Sequence, residues 1–568
     1  MYVCEQPSPT SKRVQVYLVE GYRGSDGKAR RRIVRKCGER GELLAADPAA
    51  IEKLKEEAKR LTAEKREAKV TVELDTLRAR RAGERGVCCG HFFAEGLWRQ
   101  LGLRRFLQRK GKAVGAPQSF ADICELLVFS RLLAPASKAA TWAHRDDLFD
   151  SPDCELHEVY RCLDVLDAVS ADLQAYLHRR LVKDRGRDTR LVFYDVTNYW
   201  FEIDLEDDLR RRGASKERRR DPIVQMGLLI DGDGIPIAHR LFAGNTHDAV
   251  TLAPVLTELR DRYGLGRIVV VADKGLNAKA NLAVLDSAGD GWIVAQKVRG
   301  QIDQEIRKEL CAKSGWSLHD DGRLAVKSFL RTRRLGKDNE RKEKVVLLRS
   351  ADHAAREAAR RAEVVPLAHD LVEHPGRYEA LRSRGRGRYV KEEHLTAAGE
   401  VMKPRLSFDA AGAKADAALD GYACLLTSEC EMDELEIIGH YRGLAKIEDS
   451  FRVLKSELEG RPVYVRTRQH IGAHFLICFL ALVLLRLLQT KTDNELSAGA
   501  IREALRSATC TPLEKGIWAV DETTEAYKKI EEAFGVGLPQ RYAPLEAIRG
   551  YRRQIIRAGL ENTTFSSG

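Results

Sequence analysis

RLVFYDVT (Arg190–Thr197) opens the stretch that decides the fold; IVQMGLLI (Ile223–Ile230) and IPIAHRLFA (Ile235–Ala243) follow across Asp231-Gly232-Asp233-Gly234, and then RIVVVAD (Arg267–Asp273). Each run is short, apolar and bounded by turn residues, which predicts strands, and the Asp-Gly pairs between the second and third predict a hairpin. A helix is expected through about Val250 to Tyr263, another around Lys279 to Asp286, and a strand at Trp292 to Gln296. Three strands joined by hairpin connections, then alternation with helices, predicts an α/β sheet in which the first strand lies beside the fourth.

That order is the order of a ribonuclease H-like sheet. The fold class expected is therefore α/β: a ribonuclease H-like catalytic domain interrupted by a long insertion, preceded by an N-terminal β-hairpin and a helical DNA-binding region and followed by a helical C-terminal part. The hairpin is read from RVQVYLVEGYR and KARRRIVRKCG, joined by Ser25, Asp26 and Gly27. Pro48 to about Glu67 follows as a charged helix with a thin apolar stripe of Ile51, Leu54 and Leu61. Residues 91 to 182 read as short helices, among them FADICELLVFSRLL, stopped by Ala134-Pro135, and EVYRCLDVLDAVSADLQAYLHRRL. Such a set suits a DNA-binding domain with a helix-turn-helix, and it suits a structural bundle nearly as well. Between about Arg299 and Asp420 the pattern gives way to a polar, Arg-rich stretch with a helix at His353 to Ala368, read as an inserted subdomain, before GYACLLT resumes as a strand. The boundaries expected are 1–80 (hairpin and charged helix), 81–189 (helical, DNA-binding), 190–298 (catalytic core, first part), 299–420 (insertion), 421–490 (catalytic core, second part) and 491–568 (C-terminal helices).

Composition narrows the function. The 568 residues carry 96 Lys and Arg against 84 Asp and Glu, a formal charge of +12, and such a surface attracts polyanions. Arginine runs at Arg210–Arg212, Arg218–Arg220 and within Arg382–Arg388 sit in polar, turn-like stretches and serve either as solvated loops or as phosphate contacts. The 12 cysteines are scattered, so no structural disulfides and a cytoplasmic, nucleoid-associated location are expected. MYVCEQPSPTSKR lacks the apolar region of a signal peptide. FLICFLALVLLRLL (Phe475–Leu488) is shorter than the ~20 residues a bilayer requires and contains Arg486, so it is read as a buried core helix and no membrane partner is expected.

Phosphodiester transfer needs charge neutralised on the entering and leaving oxygens, and divalent cations held by carboxylates supply this. Asp195 lies inside LVFYDVT with apolar neighbours on both sides, where an ionised carboxylate is costly unless paired or bound to metal. Asp273 ends RIVVVAD, at the carboxyl end of a strand where α/β sheets place ligands. Acidic residues also end strands as turn formers or caps. The third carboxylate is Glu448 in YRGLAKIEDSFRVLKSEL; Tyr441, Glu448 and Lys455 are spaced by seven, nearly two helical turns, and fall on one stripe bordering Leu444, Ile447, Phe451, Leu454 and Leu458. Arg452 lies one turn below Glu448, and a plain surface pair between them is the alternative.

VFYDVTNYWFE, GNTHDAVTL, VVVADKGLNAKANL and HYRGLAKIEDSFRVLKS together resemble the DDE transposases of bacterial insertion sequences that carry a tyrosine-arginine-glutamate-lysine signature. RLLAPASK (Arg131–Lys138) resembles the element found in the branch with a long N-terminal region. The resemblance implies that Asp195, Asp273 and Glu448 are catalytic and bind two divalent ions, Mg²⁺ or Mn²⁺, and that Tyr441 and Lys455 contact DNA. It implies a transposase that cuts and joins double-stranded DNA, the terminal inverted repeats of its own element and a target, and acts there as a homodimer. The signature arginine's position holds Leu444, and Arg442 or Arg452 stands nearby; Arg452 is taken as a DNA contact. Two other readings stand beside it: a ribonuclease H-like nuclease or resolvase that only hydrolyses, and an inactive DNA-binding repressor.

Three weaker signals have simpler explanations. Cys88, Cys89 and His91, with Cys154 and His157, lack a second ligand pair at zinc-finger spacing and are read as buried thiols with chance histidines. His247 in GNTHDA reads as a loop or cap residue, and Asp231–Gly234 as a hairpin turn.

Overall fold

LVFYDVTNYW forms one ten-residue strand, β1 (Leu191–Trp200), whose faces feed two different cores. Phe193 and Tyr199 point into one, Val192, Tyr194 and Val196 into the other, which is why the run is apolar at nearly every position. The structure, a computed structural model, describes residues 1–7, 13–23, 29–66, 86–214, 220–300, 302–337, 339–378, 386–393, 396–397, 400–401, 405–513, 516–538 and 541–558. The chain divides into two units, Met1–Gly83 and Glu84–Gly568.

In the second unit β1 pairs antiparallel with β2 (Ile223–Asp231), and β2 with β3 (Pro236–Ala243). The turn between β2 and β3 is the Asp-Gly hairpin: Gly234 sits at φ +86, and the Asp231 carboxylate accepts from the amides of Asp233 and Ile235 while pairing with buried Arg187 at 2.8 Å. β4 (Val269–Ala272) runs parallel to β1, and β5 (Gly291–Gln296) parallel to β4. The first strand thus lies beside the fourth.

The stretch 299–420, expected as an inserted subdomain, is partly separate, with Val390–Glu393 paired to Arg405–Phe408 and Thr396–Ala397 to Glu400–Val401 in sheets of their own, and partly continuous with the main sheet. Its strands β6 (Ser317–His319), β7 (Leu324–Arg334) and β8 (Glu340–Ser350) extend the same sheet, because β9 (Tyr422–Thr427) pairs antiparallel with both β5 and β8. The nine strands run in the order β6-β7-β8-β9-β5-β4-β1-β2-β3. A sequence pattern gives strand positions but not partners, so the continuity was invisible in it.

Five helices matter for the site: α1 (Leu156–Arg185), α2 (Ala351–Glu373), α3 (Glu434–Arg442), α4 (Ala445–Lys455) and α5 (Arg468–Lys491). Among the described residues α5 is the one helix long and apolar enough to cross a membrane, at mean hydropathy 2.4, yet 89% of that window is buried inside the protein. It packs against α1, the helix Phe120–Leu133 and β3. Each fully buried Leu, Ile or Phe of α5 is worth ~1.5–3 kcal/mol of burial, so α5 acts as the central post of this core.

The C-terminal part is not purely helical. Thr509–Pro512, Ile517–Val520 and Tyr542–Pro544 form a small sheet completed by Val87–Cys88. The helix Leu545–Ala558 lies on the helix His91–Gln100, where Arg552 donates to the buried Glu95 carboxylate at 2.6 Å. Three-residue strands are too short for a period-2 pattern to show. In the first unit the expected hairpin is a three-stranded antiparallel sheet, with Tyr2–Pro7 pairing with Val14–Arg23 beside Ala29–Glu39, followed by the helix Ala50–Arg66. The turn residues Ser25, Asp26 and Gly27, and Arg218, Arg219, Arg382 and Arg384 of the basic runs, lie outside the described residues.

Candidate active site

The β1–β4 ladder places Tyr194 opposite Ala272, so Asp195, midway along β1, and Asp273, just beyond β4, follow side by side where the parallel pairing ends. Asp195 is half-buried, and one of its oxygens accepts from the Val196 amide at 2.7 Å. Asp273 is exposed and opens a single 3₁₀ turn, Lys274–Leu276.

α3 brings Tyr441 to Asp273, and α4 follows it directly in the chain. The sequence predicts one continuous helix from Tyr441 to Leu458; the structure breaks it at Gly443-Leu444. There Leu444, Lys446 and Ile447 donate to carbonyls three residues back, tightening one turn. Gly443 lies against β1: a Cβ there would stand 2.4 Å from the Phe193 ring. Leu444, at the position of the signature arginine, is a core residue, 9% exposed.

The half-buried Tyr441 hydroxyl donates to an Asp273 oxygen at 3.3 Å. Burial holds the phenol above its ordinary range; the Asp273 carboxylate adds to this, and Glu448 and Asp195 push the same way. Glu448 itself is exposed, in the first turn of α4.

The Arg452 guanidinium donates to Asp449 at 2.6 Å, three residues before it, and Asp449 also accepts from Arg486. The Lys455 ammonium sits 5.5 Å from the Tyr199 ring centroid of β1, a cation–π placement that fixes the end of α4 against the sheet.

Sequence reasoning missed the groups that hold α3 and α4 in place. Arg486 of α5 donates to Asp449 at 2.8 Å and to Ser450 at 3.0 Å. An arginine inside FLICFLALVLLRLL was the available signal. Buried Arg131, from RLLAPASK, donates to the carbonyls of Leu458 and Glu459 just beyond α4. At the other end, Glu434 at the start of α3 accepts from Ser328 of β7 at 2.8 Å and pairs with Lys344 of β8 at 2.7 Å; the Lys344 and Ser328 hydrogen bonds hold its carboxyl down to about 2.

The donor set at the strand edge is carboxylate oxygen alone, which suits a hard divalent cation. Among the described residues no three His, Cys, Asp or Glu side chains gather into a cage around one point. Beside the edge, Val196, Asn198, Gln225, His247 and Gly275 line a cleft of about 480 Å³. His247 is the residue before the 3₁₀ turn Asp248–Val250, with no capping hydrogen bond from its side chain. Cys88 and Cys89 donate their thiols to the carbonyls of Leu505 and Ala508, and His91 bonds the Cys88 carbonyl.

No curated protein matches the chain. Among solved structures, a piggyBac transposase synaptic complex with hairpin DNA is similar at TM-score 0.36 and 8% identity, covering 84% of this chain and 85% of that one. A family described as the transposase DDE domain matches residues 200–484, a span that holds Asp273, Tyr441, Glu448 and Lys455 and begins just after Asp195. With half of its length matched, the chain belongs to the transposase DDE domain family.

Proposed function

We propose that the protein cuts DNA at the ends of an insertion sequence and joins the freed 3′ hydroxyl to a target, using Asp195, Asp273 and Glu448 as catalytic carboxylates on a ribonuclease H-like core. The observation that carries this reading is the placement of Asp195 and Asp273 side by side where the parallel β1–β4 pairing ends, with the Tyr441 hydroxyl donating to Asp273.

The carboxylates are the groups for two Mg²⁺ or Mn²⁺ ions, which when bound neutralise charge at the entering and leaving oxygens of an in-line displacement. The chain's own residues do the rest. Asp195 is held by the Val196 amide and Asp273 by the Tyr441 hydroxyl, so each carboxylate keeps one orientation. Glu448, in the first turn of α4 after the tight turn at Gly443-Leu444, is the third carboxylate of the set. Tyr441 and Lys455 contact the DNA next to the cut, as the family resemblance implies. The substrates are the terminal repeats of the protein's own element and target DNA, the working form is a homodimer on DNA, and the place is the cytoplasm at the nucleoid.

The test is incubation of the full chain with duplex DNA flanking its gene and Mg²⁺. Cleaved and joined products are expected. Asp195→Asn, Asp273→Asn and Glu448→Gln should each lose cleavage by more than a hundredfold while still binding the duplex, since one missing ligand disables a shared site. Hydrolysis without joined products makes the protein a nuclease, and near-normal nicking by any variant removes that residue from the site.

A further inference from the structure

Of the cations first expected at the DNA, Arg452 pairs with Asp449 on the surface and Lys455 lies over the Tyr199 ring, and the position expected to hold a further arginine is buried Leu444. A polyanion held over three carboxylates needs positive charge close by. A cleft of about 560 Å³ starts at Asp273 and Tyr441 and runs across the ends of β4, β5 and β9 to His353 and Arg388 of the insertion. Four cations with fixed positive charge line it. Arg299 is bound by Glu357 and Asp420, and Arg388 by Asp416 at 2.7 Å. Lys274 and Lys297 are both exposed and have no ion pair, hydrogen bond or ring contact among the described residues.

Their places are fixed by the sheet. Lys274 directly follows Asp273 beyond β4, and Lys297 directly follows β5, the parallel neighbour in which Val294 lies opposite Ala272. Adjacent strands lie about 4.8 Å apart, so both lysines project from one edge beside the carboxylates. Arg442, though next to Tyr441, does not line this cleft.

We propose that Lys274 and Lys297 are the phosphate-binding cations of this site, filling the role left open at Leu444, and that the cleft they line carries a DNA strand from the carboxylates toward the insertion. This rests on the reading of the protein as a DNA-cutting enzyme. Because a lysine is a point charge, it holds a phosphate without reading sequence.

The test uses the full chain and a labelled duplex of the gene-flanking DNA, with EDTA present, titrated between ~50 and 200 mM salt. Lys274→Gln and Lys297→Gln should each lower the slope of log affinity against log salt by about one, and the double variant by about two. Lys→Arg at the same positions should restore it, and Arg452→Gln should keep the wild-type slope. A double Gln variant with the wild-type slope overturns the proposal, as does an equal loss in Arg452→Gln. If wild type fails to cut with Mg²⁺ while the slopes change as expected, the enzymatic reading falls and the phosphate assignment stands.

Discussion

Lys138 ends the RLLAPASK element in the interior, 3% exposed, beside Arg131, His474 and Cys478. Burial, reinforced by the Arg131 charge, brings its ammonium down to about 7. The folded value lies below the unfolded one, so between about pH 7 and the ordinary lysine range the unfolded chain holds more protons and folding stability rises with pH. Lys138→Met should flatten that rise, seen as a smaller gain in unfolding midpoint from pH 7 to 9 than wild type shows, and should be neutral or stabilising at pH 7. At the site, Tyr441→Phe removes the hydrogen bond to Asp273 and should slow single-turnover cleavage about tenfold, with binding of DNA unchanged. Asp195 and Asp273 were legible because a charge inside or at the end of an apolar strand is chemically expensive and therefore conspicuous. The partner of Arg452 was not legible, because helical spacing allows one at either three or four residues, and sequence alone does not choose between Asp449 and Glu448.

α3 and α4 form an element held at three points by side chains from distant parts of the chain. Arg486 spans from α5 to Asp449 and Ser450; Arg486→Met leaves Asp449 its pair with Arg452 but cuts α4 from its post. A loss of ~1–3 kcal/mol in stability is expected, with a larger proportional fall in cleavage rate than in DNA affinity. Gly443→Ala drives a methyl into the Phe193 ring and should displace the joint, lowering the melting temperature and cleavage together. Lys344→Ala with Ser328→Ala frees the start of α3 and should lower the cleavage rate without changing the salt slope of DNA binding, because neither residue faces the cleft. The apolar face of this segment was legible from its period. Its break was not, since Gly443 and Leu444 both keep helical dihedrals and the tightening comes from a neighbour, Phe193, that sequence distance hides.

At the scale of the molecule, the strand order β3-β2-β1-β4-β5 was readable because hairpins and alternation with helices leave few topologies. The placement of β9 between β5 and β8, and of Val87–Cys88 beside Thr509–Cys510, was not, because pairing across hundreds of residues leaves no local pattern. Removal of residues 509–558 should therefore unfold more than a tail: it strips Tyr551 and Ile555 from the core and Arg552 from Glu95, and loss of the cooperative thermal transition is expected by calorimetry. The zipped ends also set a clock on biosynthesis. Cys89 bonds the carbonyl of Ala508, 419 positions later; at ~5–20 residues per second, translation takes roughly 20–80 s to deliver that partner after Cys89 is made. Until then Arg131 lacks the carbonyls of Leu458 and Glu459 for much of the wait, and Glu448 has no scaffold. A chain still on the ribosome therefore holds Cys89 and Arg131 without the carbonyls they bond, and the order of synthesis itself delays closure of this core.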